Sequence, residues 1–129
     1  MMTSKNAPIS NELMETVPVI LFEIARLSEM FKNVNQGIWS KLSWASVAGR
    51  AEGARIWYGR GVSSVNVTLS VEAFQYAQKA LIVVYNKVRK EMQKGNGSVY
   101  NEYYKEIYNH TVLAMKIIDR IIAHKKSIL

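Results

Sequence analysis

Apolar positions along the chain recur every three or four residues in long stretches, the spacing of a helix with one buried stripe. The first stretch runs through Leu13, Val17, Ile20, Ile24, Leu27, Phe31 and Val34. Pro18 falls inside it, and because proline removes a backbone donor, the pattern predicts a fresh helix start there, capped by Thr16. The run Asn33 to Gly37 supplies turn residues, with Gly37 suited to a left-handed helix terminus, and a second helix is expected from about Ile38. Gly59 to Thr68 mixes glycine with β-branched residues and breaks the helical period, which reads as an extended connection able to move when unbound.

Ser70 followed by Glu72 reads as the next helix start, and Phe74, Ala77, Leu81, Val84, Val88 and Met92 continue the three-four spacing. That helix is expected to end at Lys94-Gly95-Asn96-Gly97, basic residues before a glycine that tolerates positive φ. Ser98 then caps a fourth helix from Tyr100 to about Lys126. Its stripe is Tyr104, Ile107, Thr111, Ala114, Ile118 and Ile121, and the neighbouring Tyr103, Met115, Ile117 and Ile122 predict burial on more than one side. The pattern as a whole implies an all-α fold, four-helix bundle-like, with an N-terminal helical hairpin or arm. A length of 129 residues, 49% of them hydrophobic, supplies one core and not two, so a single domain is expected.

Composition narrows the chemistry. Seventeen Lys and Arg against ten Asp and Glu leave a net charge of +7, spread over both halves, which favours a polyanionic partner: nucleic acid first, anionic membrane second. The absence of cysteine removes disulfides, thiolate metal sites and thiol nucleophiles. The polar start, Met1 to Asn11, does not read as a secretory signal, and the apolar run Val17 to Phe22 is far short of the roughly 20 residues that cross a bilayer, so no transmembrane span is expected.

Segment 38–58 is unlike the rest, for it holds all three tryptophans, Trp39, Trp44 and Trp57, amid small residues. Ala45, Gly49 and Gly53 form a small-xxx-small row along which another molecule could approach the backbone closely, and Lys41, Arg50, Arg55 and Arg60 surround it. At 100° per residue these cations spread around the axis rather than forming one face. Arginine gives directional donors to phosphate oxygens, and tryptophan can anchor the helix to protein or stack on exposed bases. The competing reading is a Gly/Ala-rich helix packed tightly against its neighbour with its arginines solvated. A second basic cluster, Lys87, Arg89, Lys90 and Lys94, ends the third helix, and Lys125 with Lys126 ends the fourth, where the helix dipole favours cations in any case.

Other constellations carry less. Glu102, Glu106 and His110 follow one another at i+4 and could share a face, but a carboxylate-bridged metal pair needs Glu-x-x-His on facing helices, and no second such pair occurs. Lys105 and Lys116 suit an ordinary charged surface there. Arg120 and His124, one turn apart, could serve a small helical ribonuclease. Gly59-Arg-Gly61 and Lys94-Gly-Asn-Gly-Ser98 both lack the lysine-hydroxyl ending of a phosphate-binding loop, and no serine is flanked by an activating base. Tyr100, Tyr103, Tyr104 and Tyr108 fit core or interface equally, with interface preferred, and Asn66, Asn96 and Asn109 match short glycosylation patterns that arise often by chance. No metal, cofactor or catalytic group is assigned.

In size, basicity, lack of cysteine and four-helix pattern the chain resembles the major capsid (nucleocapsid) proteins of filamentous archaeal viruses, a likeness of architecture over the whole chain rather than of a motif. The resemblance implies a non-enzymatic protein that wraps linear double-stranded DNA, shielded in an A-like form, as a homo-oligomer or with a related capsid subunit in a helical filament. It implies location in the virion, and in the host cytoplasm during assembly. Residues 1–62 would be the nucleic-acid-wrapping part and 70–129 the helical hairpin or bundle part. The nucleic-acid-binding set would be Lys41, Arg50, Arg55, Arg60, Lys87, Arg89 and Lys90. The alternatives are a ribonuclease or toxin-like enzyme using Arg120 and His124 with Glu106 or His110, and a helical adaptor that binds another protein.

Overall fold

The computed structural model describes residues 8–34, 37–94 and 100–129. It is all-α, with α1 at Asn11–Val34, α2 at Ile38–Ser63, α3 at Val67–Lys94 and α4 at Asn101–Ser127. Each α1, α2, α3 and α4 packs beside two others: α1 on α2 and α4, and α3 on α2 and α4. The helices therefore stand at the corners of a square, and the short connections make sequential neighbours antiparallel, a four-helix bundle. No helix among the described residues is long and apolar enough to cross a membrane.

One core runs down the middle. Val17, Leu21, Ile24 and Phe31 of α1 meet Trp44, Ala51, Ala54 and Tyr58 of α2, Phe74, Leu81 and Val88 of α3, and Ile107, Ala114 and Ile118 of α4. Most of its residues from α1, α3 and α4 are those of the sequence stripes, because burial of one face is what that spacing encodes; Leu21 and Ile117 join them, and Val34, expected in the α1 stripe, is exposed. At one end the aromatic rings collect: Phe31 and Trp44 lie 4.8 Å apart between centroids, and Trp44 stacks on Tyr104 at 5.8 Å. At the other end Tyr58 meets Phe74 edge-on at 5.4 Å.

Several sequence expectations are corrected. The first helix does not restart at Thr16; it begins at Asn11, where Ser10 Oγ accepts the Leu13 N–H at 3.2 Å, and continues through Pro18. The reason lies in α2. Pro18 cannot donate to the carbonyl of Met14, and the Tyr58 hydroxyl donates to that oxygen at 2.7 Å, so the carbonyl left over by the proline is satisfied from the next helix. Gly37 is extended, at φ −76° and ψ 133°, and is not left-handed.

Gly59 to Thr68 is not an extended connection either. Helix α2 runs on to Ser63 and only Ser64 to Asn66 link it to α3. The glycine that broke the pattern, Gly61, is where α2 meets α3: a Cβ there would lie 2.8 Å from the Phe74 ring, and the Ser70 hydroxyl donates to the Gly61 carbonyl at 2.5 Å. Ser70 is thus a buried residue inside α3, and the cap is Asn66, whose Oδ1 accepts the Leu69 N–H at 2.9 Å. Of the α4 residues expected beside the stripe, Ile117 is buried, Met115 and Ile122 are half-buried against the core and Tyr103 is exposed, so burial reaches only partly beyond one stripe. The expected helix end at Gly95 to Gly97, the Ser98 cap and the Asn96 pattern lie outside the described residues.

Candidate nucleic-acid interface

Helix α2 carries the site because it uses different small residues for different purposes. Ala48, Ala51 and Ala54 turn inward and are buried. Gly49 and Gly53 turn outward, and a Cβ added at either would meet nothing within 4 Å. The row Ala45, Gly49, Gly53 is therefore open rather than packed against a neighbouring helix, and it leaves backbone accessible between two shallow grooves that flank α2.

On the α3 side the groove is lined by Gly49, Arg50, Gly53, Trp57, Tyr76, Lys79 and Ala80. Trp57 and Tyr76 face each other at 4.7 Å. The Arg60 guanidinium sits over the Trp57 ring at 4.8 Å and the Lys79 ammonium over the Tyr76 ring at 5.2 Å. Cation–π contact holds such a group in place while leaving its N–H donors to a ligand. Arg50, Arg60 and Lys79 form no ion pair among the described residues, so three cations and a strip of bare backbone share one face. The adjoining cleft of Trp57, Arg60, Ser64, Leu69, Glu72 and Tyr76 adds one carboxylate at its edge. No protein-family model, no curated protein and no solved structure matches the chain.

On the α1 side the charges are already used. Arg26 is bound to Glu23 and Arg55 to Glu52, each within its own helix, and hydrogen bonding from Arg26 holds the Glu23 carboxyl below its ordinary range. This groove, lined by Phe22, Ala25, Arg26, Glu29, Ala45, Ala48, Gly49 and Glu52, pairs an apolar floor with a compensated rim.

The seven cations singled out in the sequence are thus divided. Arg50 and Arg60 meet on the α2/α3 face; Arg55 is exposed but paired with Glu52. Lys41 is exposed in the first turn of α2 without an ion pair among the described residues. Lys87 is only 20% exposed, bonds Glu91 at 3.1 Å and lies 5.1 Å from the Trp44 ring, which makes it part of the α2/α3 seam. Arg89 and Lys90 are exposed, Arg89 close enough to Tyr108 of α4 to act on its phenol. Lys79 was not singled out, and only the antiparallel register of α3 on α2 brings it to Arg50; its signal in sequence was its place three residues after Tyr76.

The other constellations stay ordinary. His110 Nε2 is 3.8 Å from Glu106, Lys105 is 3.6 Å from an exposed Glu102, and among the described residues no three His, Asp or Glu are grouped to hold a metal. Arg120 is exposed, and His124 lines a small cleft with Ile9, Met14, Ile121 and Lys125.

Proposed function

We propose that this chain packages double-stranded DNA by binding its phosphate backbone, without reading bases, along the α2/α3 face. The observation that carries this reading is the joint presence of three cations without an ion pair among the described residues, Arg50, Arg60 and Lys79, and bare backbone at Gly49 and Gly53, where an added Cβ would meet nothing within 4 Å. Phosphate oxygens need donors and close approach, and this strip offers both. Trp57 and Tyr76 are engaged with each other and with their cations, which argues for positioning of those cations rather than for stacking on splayed bases.

An A-like duplex, with closely spaced phosphates and a shallow minor groove, fits recognition by backbone shape. Together with the architectural likeness to capsid proteins of filamentous archaeal viruses, this supports a nucleocapsid role: many copies, identical or with a related subunit, around one duplex in a virion. The test is duplex binding at several salt concentrations. Three phosphate contacts give a log–log slope of about −2.7, from roughly 0.9 per neutralised phosphate on B-form DNA. Affinity that stays flat between about 50 and 200 mM salt, or that follows base sequence, overturns the reading.

A further inference from the structure

The end of the bundle where α1 gives way to α2 leaves large apolar side chains in water. Trp44 of α2 is buried in the core, but Trp39, five residues earlier, is 80% exposed, beside Ile38 at 68% and Leu42 at 54%. At 100° per residue these three span about 100° of arc, so they share one face of the first turns of α2. Val34, the last residue of α1, is exposed as well. Tyr100 and Tyr103, partly exposed at the start of α4, are brought to the same end by ring contacts with Phe31 at 5.4 and 6.3 Å. Exposed apolar residues scattered singly are normal, whereas a contiguous group with a tryptophan at its centre marks a contact surface.

The charge at this end is positive. The Lys87 ammonium lies 5.1 Å from the Trp44 ring, and because α3 runs antiparallel to α2, Lys90 and Lys94 continue from there toward the start of α2. The acids here are already paired: Glu29 with Lys32 at 2.8 Å, Glu91 with Lys87 at 3.1 Å, and Glu102 with Lys105 at 3.6 Å. Lys41 and Lys90 are exposed without an ion pair among the described residues, and the first turn of α2 holds no acid.

We propose that this end of the bundle seats on an anionic lipid bilayer, Trp39, Ile38 and Leu42 entering the boundary between headgroups and acyl chains, and Lys41 and Lys90 meeting the headgroup phosphates. The occupant follows from the pairing of the two features. Apolar side chains leave water only for an apolar phase, surplus cations seek an anionic layer, and a bilayer of anionic lipid presents the second directly above the first. Tryptophan and tyrosine favour that boundary because the ring is apolar while its N–H or O–H stays hydrated, and lysine reaches the phosphates from an apolar stem. The contact is interfacial, since no helix among the described residues is long and apolar enough to cross a membrane. At 1.5 Å of rise per residue, Arg50 lies about 17 Å and Arg60 about 32 Å beyond Trp39 along α2. A bundle standing on this end therefore keeps its α2/α3 face clear, and the membrane contact does not depend on the phosphate-binding reading of that face.

The experiment is flotation of the full chain with vesicles, either an even mixture of phosphatidylcholine and phosphatidylglycerol or phosphatidylcholine alone. Wild type is expected to float with the anionic vesicles and far less with the neutral ones. Trp39→Ser combined with Leu42→Ser, both at exposed positions, is expected to weaken vesicle binding roughly tenfold or more with unchanged helical circular dichroism, and Ile38→Ser gives the same readout if that pair fails to fold. Lys41→Gln and Lys90→Gln are expected to cost roughly fivefold each. Lipid brominated on its acyl chains is expected to quench wild-type tryptophan emission, while Trp39→Phe, which keeps a ring, still binds but loses most of the quenching. A wild type that leaves the anionic vesicles unbound overturns the proposal and gives the patch to a protein partner. Binding that survives the loss of Trp39 and Leu42, or that is lost instead on replacing Arg50, Arg60 and Lys79 by glutamine, overturns it too, since the headgroups would then be meeting the α2/α3 face. Duplex binding measured on the same variants separates the two readings: it is expected to be untouched at Trp39 and Leu42, and its absence from wild type would sink the DNA reading and leave the membrane contact standing.

Discussion

The two grooves beside α2 share a wall and differ in how their cations are employed. Toward α1, Arg26 and Arg55 are held by glutamates three residues earlier in the same helix, and what remains exposed is apolar. Toward α3, Arg50, Arg60 and Lys79 have no such partners and two of them rest on aromatic rings. Solvated i,i+3 pairs contribute little to stability, but they leave a cation less free to meet phosphate. On the proposed reading, the +7 of the chain is not its footprint; the footprint is the part of that charge left uncompensated on one side.

The largest effect tests that statement directly. Replacing Arg50, Arg60 and Lys79 by glutamine is expected to weaken duplex binding roughly a hundredfold at moderate salt and to flatten the salt slope by about 1 per residue. Replacing Arg26 and Arg55 by glutamine removes as much formal charge per residue and is expected to leave the slope nearly unchanged. Equal losses from the two sets, read by fluorescence anisotropy at several salt concentrations, would erase the distinction between the grooves.

The α1/α2, α2/α3 and α3/α4 seams each hold a polar tie from a side chain to the opposite backbone, and disturbing the first two seams gives the next effects in size. Gly61→Ala places a methyl 2.8 Å from the fully buried Phe74 ring, and is expected to cost about 1–3 kcal/mol in urea unfolding as α3 is pushed off α2. Tyr58→Phe leaves the Met14 carbonyl without its donor beside Pro18, and about 1–2 kcal/mol of stability is expected to go with it. Burial pushes the Tyr58 phenol up to about 12 from 10.0. The folded state therefore keeps a proton that the unfolded chain loses, so this contribution is complete below about pH 10 and is lost as pH rises toward 12. Alkaline melting curves are expected to show that decline in wild type and less of it in Tyr58→Phe.

Much of the bundle was legible because α1, α3 and α4 each bury a single stripe, and a stripe is a local pattern. What escaped depends on residues distant in sequence. Pro18 is tolerated because of Tyr58, and Gly61 is helical because Phe74 and Ser70 close on it. Asn66, which in sequence formed only a short glycosylation pattern, uses its side chain as the cap of α3. The small row of α2 was visible, but which small residues faced inward was not, since Ala48, Ala51 and Ala54 alternate with Gly49 and Gly53 along one helix. The basic cluster divided for the same reason: Lys87 and Arg89 are near in sequence, yet one lies in the α2/α3 seam and the other toward α4.

The smallest expected effect is also the one whose sign discriminates best. Gly49→Ala and Gly53→Ala add a methyl where nothing stands within 4 Å, so neither creates a clash. Glycine inside a helix loses more conformational freedom on folding than alanine, and each substitution is expected to stabilise the bundle by about 0.5–1 kcal/mol. If the bare backbone exists to let phosphate come close, the same two substitutions weaken duplex binding while raising the melting temperature, and leucine at either position weakens it further. A fold made more stable together with unchanged affinity would mean that the glycines of α2 serve neither packing nor phosphate. Binding would then rest on Arg50, Arg60 and Lys79 alone.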